Sequence, residues 1–171
     1  SRHAPACGLR MRLNSNVRPY NWHMPVTIRL AEVRDAREIA ELSRRAIEQG
    51  LPWSWTAHRV QQAIADPSTN VVVAQFSGVV IGFGVMEYEE DTAHLVLFAV
   101  DTPDRRKGLG SELLAWLEKV ARTAGISRLR LEARGDNTAA LAFYRKHGYG
   151  QPEEVLGMYF GAEDGVRLVK L

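Results

Sequence analysis

The stretch from His94 to Val100 (HLVLFAV) is apolar along almost its whole length. A strand with no polar face has to be covered on both sides, so it belongs in the middle of a sheet rather than at an edge. The segment after it is equally restrictive. Asp101 to Lys107 leads into a helix that carries Leu109, Leu113, Trp116, Leu117 and Val120 at helical spacing and ends at Gly125. A buried strand, a glycine-containing loop and an amphipathic helix, in that order, predict a helix laid across a sheet.

The flanking segments extend the pattern. Val26 to Ala31 alternates Val26, Ile28 and Leu30 with polar neighbours, the period of a half-buried strand. Asp35-Ala-Arg-Glu38 has the spacing of a capping box and opens a helix with Ile39, Leu42, Ser43, Ala46 and Ile47 on one stripe, with Gly50 as its C-terminal cap. Thr56 caps a second short helix (Val60, Ala63, Ile64) that Pro67 stops. Strands over Asn70 to Phe76 and Val79 to Glu89 are joined by Ser77-Gly78, and a turn at Glu90-Asp91 leads into the central strand. Ser127 to Arg134 reads as another strand, and Asp136 or Asn137 caps a last helix that reaches His147. Tyr149 to Leu156 and Arg167 to Leu171 form a closing pair of strands. The order β-α-α-β-β-β-α-β-α-β-β predicts fold class α/β, a single mixed domain over residues 24–171. At 171 residues and 46% hydrophobic, the chain is long enough for one sizeable core.

Residues 1–23 differ in character from the rest. They are polar and irregular, with Arg2, Arg10, Arg12 and Arg18 but no acid, and His23-Met24 matches the junction that cloning leaves at a start codon. They are expected to be a vector-derived leader or a disordered arm, with the domain beginning at Met24. Without them the formal charge goes from +2 to −2, because 4 of the 22 basic residues and none of the 20 acids leave. The basic character then belongs to the leader, and no nucleic-acid partner is expected. No apolar run approaches the roughly 20 residues that span a membrane, so no membrane partner is expected either. Cys7 is the only cysteine, which rules out an internal disulfide and a thiolate zinc site; no metal is expected. The expectation is a cytoplasmic protein, monomer or homodimer.

Chemistry concentrates in Arg105-Arg106-Lys107-Gly108-Leu109-Gly110-Ser111. A helix start presents unpaired amides and partial positive charge, which suits a phosphate-type anion. Gly108 and Gly110 let the backbone come close to a ligand, and three adjacent cations attract a diphosphate. The loop is not a P-loop, because the lysine precedes the glycine and no G-K-[ST] follows. It is not a dinucleotide fingerprint either, which needs a third glycine and a first βαβ unit.

Arg105-x-x-Gly108-x-Gly110 resembles the acetyl-CoA signature of the GNAT superfamily of N-acyltransferases. Asn137-Thr-Ala-Ala140-Leu-Ala-Phe143-Tyr144-Arg-Lys-His-Gly148-Tyr149 resembles its second motif. The two lie in the family's order, one helix and one strand apart, and the likeness runs from about Val26 to the C-terminus. It implies a GNAT-like fold: a mixed, mostly antiparallel twisted sheet flanked by about four helices and splayed where the pantetheine arm enters. Pro52-Trp53-Ser54, Ala99-Val100-Asp101 and Leu131-Glu132-Ala133-Arg134 are similar to the subfamily that acetylates protein N-termini, whose best-known members modify the N-terminal alanine of a small-subunit ribosomal protein. The tail Tyr159 to Leu168 is a looser echo. Phe98, Ala133 and Met158 depart from that subfamily's commoner residues.

The resemblance implies acetyl-CoA as the acyl donor and a primary amine as acceptor, expected to be a peptide or protein N-terminus. Other readings are a small-molecule amine acceptor and a non-catalytic acetyl-CoA sensor. It implies Glu132 as base and Tyr144 as the acid toward the leaving thiolate. It also implies that Phe98, Ala99 and Val100 meet the pantetheine through their backbone, that Arg105 to Ser111 hold the diphosphate, and that Asn137 and Tyr144 touch the cofactor. The residues alone leave alternatives open. Arg128, Arg130, Glu132 and Arg134 share one strand face and read equally as a solvated charge ladder. Glu87, Glu89, Glu90 and His94 rival Glu132, His94 because imidazole titrates near neutrality. Water could also relay the proton. The acidic cluster Glu87 to Asp91 either attracts a cationic amine or is only a solvated hairpin tip, and Trp53 and Trp55 either wall the acceptor pocket or pin the helix connection.

Overall fold

Thr27 to Leu30 forms the first strand, β1, and six further strands join it in one sheet of order β1-β2-β3-β4-β5-β7-β6. The computed structural model describes residues 26–101, 108–159, 161 and 163–171; the leader and the loop residues Arg105, Arg106 and Lys107 lie outside them. The strands are β2 (Thr69–Phe76), β3 (Val79–Tyr88), β4 (Thr92–Val100), β5 (Arg128–Arg134), β6 (Gly150–Tyr159) and β7 (Glu163–Lys170). The helices are α1 (Ala36–Ala46), α2 (Ala57–Ala65), α3 (Leu109–Thr123) and α4 (Thr138–Lys146). Every strand pair is antiparallel except β4 with β5. This is the mixed α/β GNAT-like domain that the element order predicted, and β4 is the fourth of seven strands, as its two apolar faces demanded.

Each sheet face has its own core. One cluster joins Met86, Ala93, Leu95, Leu129 and Leu131 to Leu113, Leu114 and Leu117 of α3 and Leu141 and Tyr144 of α4. The other joins Val71, Val73, Phe83, Val85, Leu97 and Ala99 to Ile39 and Leu42 of α1 and Val60 of α2. Burying both faces provides the hydrophobic driving force, and it also fixes the register of each strand, because a one-residue slip would exchange the faces.

One such slip is built into β4. Val85 pairs with Leu97 while Met86 pairs with Leu95, so Val96 is an extra residue opposite β3. Leu95 therefore faces α3 and α4, whereas Val96 and Leu97 both face α1 and α2. Such a bulge bends and twists its strand. The β4–β5 ladder runs from Thr92↔Arg128 to Leu95↔Leu131 and ends there, at the residue before the bulge. β4 continues to Val100 alongside β3, and β5 continues to Arg134 alongside β7. The two central strands thus part company in the middle of the sheet and leave a V-shaped opening.

Two local expectations are corrected. The capping box expected from Asp35 and Glu38 does not form: a 3-10 turn at Val33–Asp35 precedes α1, and Asp35 makes no side-chain cap to α1. Its carboxylate instead takes the Glu32 amide at 2.7 Å and both Arg29 guanidinium nitrogens at 2.7 and 3.0 Å. Glu38 accepts from the Val80 amide at 3.0 Å, tying α1 to β3. The closing strands β6 and β7 are also longer than expected, because bulges allow β6 to keep pairing through its polar residues.

Asp35 is 3% exposed, and burial alone would push its carboxyl up. Hydrogen bonds from Arg29 and the Glu32 amide more than reverse this and hold it below the ordinary aspartate range. A carboxyl depressed by folding contributes stability that is complete above its unfolded pKa and lost as pH falls through its folded one. Asp35→Asn is therefore expected to lower the urea unfolding free energy at pH 7 by about 2 kcal/mol. Its deficit relative to the parent should shrink as both are titrated below pH 4, and a deficit that stays constant to pH 2 would contradict this account.

Candidate active site

The open arm of β4 carries Phe98, Ala99 and Val100, which the motif likeness assigned to the donor. With Ala99 turned toward α1 and α2, Phe98 faces the α4 side. Its ring lies 5.9 Å from that of Phe143 and 6.2 Å from that of Tyr144, and the last two are 5.3 Å apart. Tyr144, only 7% exposed, thus sits beside the V-shaped opening with an apolar body and a polar tip, as the helical stripe on α4 predicted. Burial pushes its phenol well above the ordinary tyrosine range and Tyr159 adds to the effect, so it stays protonated and keeps a hydroxyl proton to donate.

The start of α3 closes the same region. Gly108 is the residue before the helix, with φ +82° and ψ −5°, a conformation that side chains resist. Leu109, Gly110 and Ser111 form the first turn, whose amides point back toward the loop as helix-start amides do. A Cβ at Gly110 would meet the Phe143 ring at 3.4 Å, so α4 packs directly on the first turn of α3. Ser111 Oγ meets His147 Nε2 at 2.9 Å, and the His147 ring lies tilted against Phe143, 4.6 Å between centroids. Asn137 caps α4 by accepting from the Ala140 amide at 3.1 Å. An opening between strands that leads to a helix start with glycines at 108 and 110 fits a pantetheine arm carrying a diphosphate.

The opposite sheet face carries the charged row of β5, and it is not a solvated ladder. Glu132, with a side chain 13% exposed, is held on both oxygens. His94 Nε2 makes a short hydrogen bond to Oε2, and Arg167 Nε of β7 donates to Oε1 at 2.9 Å. Burial pushes the Glu132 carboxyl up, but His94 and Arg167 outweigh it and hold the group below the ordinary glutamate range. Arg130 reaches His94 Nδ1 at 3.4 Å and Glu89 at 3.5 Å. Arg134 donates to the Gln49 carbonyl at 2.8 Å, which ties the open end of β5 to the α1–α2 connection.

That connection is set by a residue that sequence reasoning missed. Glu48 is 6% exposed; its Oε1 accepts from the amides of Ser54 and Trp55 at 2.7 and 3.1 Å and from the Ser54 hydroxyl at 2.7 Å, and its Oε2 from the Ser43 hydroxyl at 3.1 Å. The two tryptophans are placed differently. Trp55 is in the core with Arg59 over its ring, whereas Trp53 is 40% exposed beneath Arg44. Residues between Arg44 and Trp53 line an open depression of about 480 Å³. Glu87, Glu90 and Asp91 are exposed at the hairpin. Among the described residues no group of three or more His, Cys, Asp or Glu is placed to hold a metal.

Sequence comparisons agree with the geometry. The model of the Acetyltransferase (GNAT) family matches residues 33–149. The ribosomal protein bS18 alanine N-acetyltransferase of Escherichia coli is 30% identical over 139 residues, covering 81% of this chain and 90% of the relative. The N-alpha-acetyltransferase RimI of Mycobacterium tuberculosis is 33% identical over 134 residues, 73% of this chain and 78% of the relative. The crystal structure of Ard1 from Thermoplasma volcanium superposes with a TM-score of 0.75 at 26% identity, covering 85% of this chain and 96% of that one.

Replacing Glu48 with alanine leaves two buried amides and two hydroxyls without their acceptor. The expected result is a loss of about 3 kcal/mol in denaturant unfolding, with faster hydrogen exchange at the Ser54 and Trp55 amides than at the β3 amides. Unchanged exchange at those two amides would show that another group holds the connection.

Proposed function

Since the chain belongs to the GNAT family and is an N-acetyltransferase, we propose that it moves the acetyl group of acetyl-CoA to the α-amine of a protein or peptide N-terminus. The observation that carries this reading is the opening between β4 and β5, flanked by Tyr144 on one sheet face and by the Glu132 cluster on the other. The acceptor assignment is supported by the two relatives whose names specify N-terminal or alanine acetylation. A ribosomal-protein acceptor, as named for one relative, would go with a cytoplasmic reaction.

Bound acetyl-CoA supplies an activated thioester carbonyl; the protein has to position it, accept a proton from the amine and stabilise the departing sulfur. In this reading Phe98, Ala99 and Val100 run beside the pantetheine arm, and Gly108, Leu109, Gly110 and Ser111 turn helix-start amides toward the diphosphate. Arg105, Arg106 and Lys107 add positive charge to that end, and Asn137 lies at the start of α4 beside the donor. Glu132 is the residue around which proton removal is organised. Tyr144 is the donor toward sulfur, and because burial keeps it protonated it acts first by a hydrogen bond to the developing thiolate.

The test pairs binding with turnover. Acetyl-CoA at a hundredfold excess over its dissociation constant is expected to stabilise the fold by about 2.7 kcal/mol. A panel of N-terminal peptides and small amines, followed by CoA release, is expected to favour peptides. Tyr144→Phe should retain the thermal shift and lose about a hundredfold in kcat. Turnover confined to small amines would overturn the peptide assignment, and stabilisation without turnover on any amine would make the chain a sensor.

A further inference from the structure

The arrangement around Glu132 assigns a different division of labour from a carboxylate base. We propose that His94 takes the proton from the acceptor ammonium, with Glu132 as its positioning residue and Arg167 as the anchor of Glu132. The proposal rests on the acetyl-transfer reading above and names the atom at which that reaction is started.

Glu132 is poorly placed to act alone. Both of its oxygens are committed, one to His94 and one to Arg167, and neither partner can be given up cheaply by a carboxylate that is mostly buried. The imidazole is the group with capacity left. Arg130 has only donors to offer, so the nitrogen it approaches, Nδ1, is the one with the lone pair, and the proton of the neutral ring resides on Nε2 facing Glu132. The Arg130 contacts at 3.4 Å to Nδ1 and 3.5 Å to Glu89 share one terminal nitrogen and are both long. A water or an amine can therefore displace them. A carboxylate that fixes the imidazole tautomer and stabilises the imidazolium is the relation found in hydrolase triads, where the imidazole is the base and the carboxylate remains ionised.

Position supports the same assignment. His94 pairs with Arg130 on the rung just before the ladder ends at Leu95↔Leu131, so it stands at the apex of the opening. The charged groups that face it are Glu87, its partner on β3, Glu89 beyond β3, Arg130 and Glu132 on β5, and Arg167 behind Glu132. Arg134, the next basic residue along β5, is occupied by the Gln49 carbonyl. Glu87 on β3 and Glu89 just beyond it draw an ammonium toward His94. The proton balance is then complete. The ammonium gives one proton to Nδ1, directly or through one water; the free amine nitrogen bonds to the carbonyl carbon as the carbon–sulfur bond breaks. The second nitrogen-bound proton ends on sulfur, and the imidazolium releases the first to solvent.

The experiment measures kcat against pH for the parent, His94→Gln, His94→Gly and Glu132→Gln, using the best peptide acceptor. Thermal shifts with acetyl-CoA check that each variant folds and binds the donor. The parent's kcat should fall on the acid side as the imidazole becomes charged. His94→Gln should lose about a hundredfold or more and show no acid limb, and added imidazole should restore part of the rate in His94→Gly. Glu132→Gln should keep the limb, displaced to lower pH, because the imidazolium has lost the anion behind it. If His94→Gln keeps rate and limb while Glu132→Gln abolishes them, the carboxylate is the base and the proposal is overturned. No turnover by the parent on any amine would instead defeat the acetyl-transfer reading itself, and the His94 role with it.

Discussion

The structure depends on one backbone mismatch, the extra residue Val96 in β4. Strands in a sheet gain by staying paired, and β4 and β5 pair well as far as Leu95 and Leu131. The bulge turns two successive side chains, Val96 and Leu97, toward α1 and α2, and the core there accepts both because Val71, Val73 and Val85 are small enough to pack around them. Once the strand has bent, β4 follows β3 and β5 follows β7, and the sheet divides without losing either core. The opening is therefore held in part from its flanks, where β3 keeps β4 and β7 keeps β5, and in part at its rim by Arg134 on the Gln49 carbonyl.

That geometry separates the chemistry by face. Phe98 and Tyr144 lie on the α3–α4 side, among aromatic rings and with little water. His94, Glu132 and Arg167 lie on the other, where α1 and α2 cover the first strands and the β5–β7 half keeps its ionised groups partly exposed. Low polarity suits a neutral phenol that donates to a soft thiolate; partial hydration and paired charges suit a group that must take up a proton and return it to solvent. The opening is the place where one substrate can reach both environments.

Much of this is legible in the sequence, and the exceptions obey a rule. β4 belongs at the centre because His94 to Val100 has no polar face, and Thr56 and Asn137 read as caps because their side chains act on amides three residues away. Periodicity carries such local information. It also carries the stripe on α4 that includes Tyr144, while the two motifs carry the identity of the donor. The Asp35–Glu38 spacing misleads because both carboxylates have better partners far along the chain or on another element, Arg29 and the Val80 amide. The Arg167–Glu132 and His94–Glu132 pairs involve the same problem: Glu132 and His94 are 38 residues apart, and no local pattern marks them. The Glu48 clamp is local in sequence but has no periodic spacing to mark it. The alternating charges of β5 correctly give a shared face for Arg130, Glu132 and Arg134, but only the register of β4, β5 and β7 shows that each has a different partner.

The register also explains why the two sequence motifs come as a pair. The loop motif ends in Gly110 and Ser111, and the later motif ends in Phe143, Tyr144, His147, Gly148 and Tyr149. Gly110 lies against Phe143, and Ser111 meets His147. Tyr149, in turn, packs against Tyr144 and donates to Glu118 of α3 at 2.9 Å, with Lys170 of β7 on the other oxygen of that carboxylate at 2.8 Å. Half of the second motif thus acts by locking α4 to α3, which sets the position of Tyr144 relative to the start of α3. A side chain at Gly110 would lie directly against Phe143, which itself packs on Tyr144. The first turn of α3 and Tyr144 are consequently linked through the packing of two helices, and much of the second motif describes that joint.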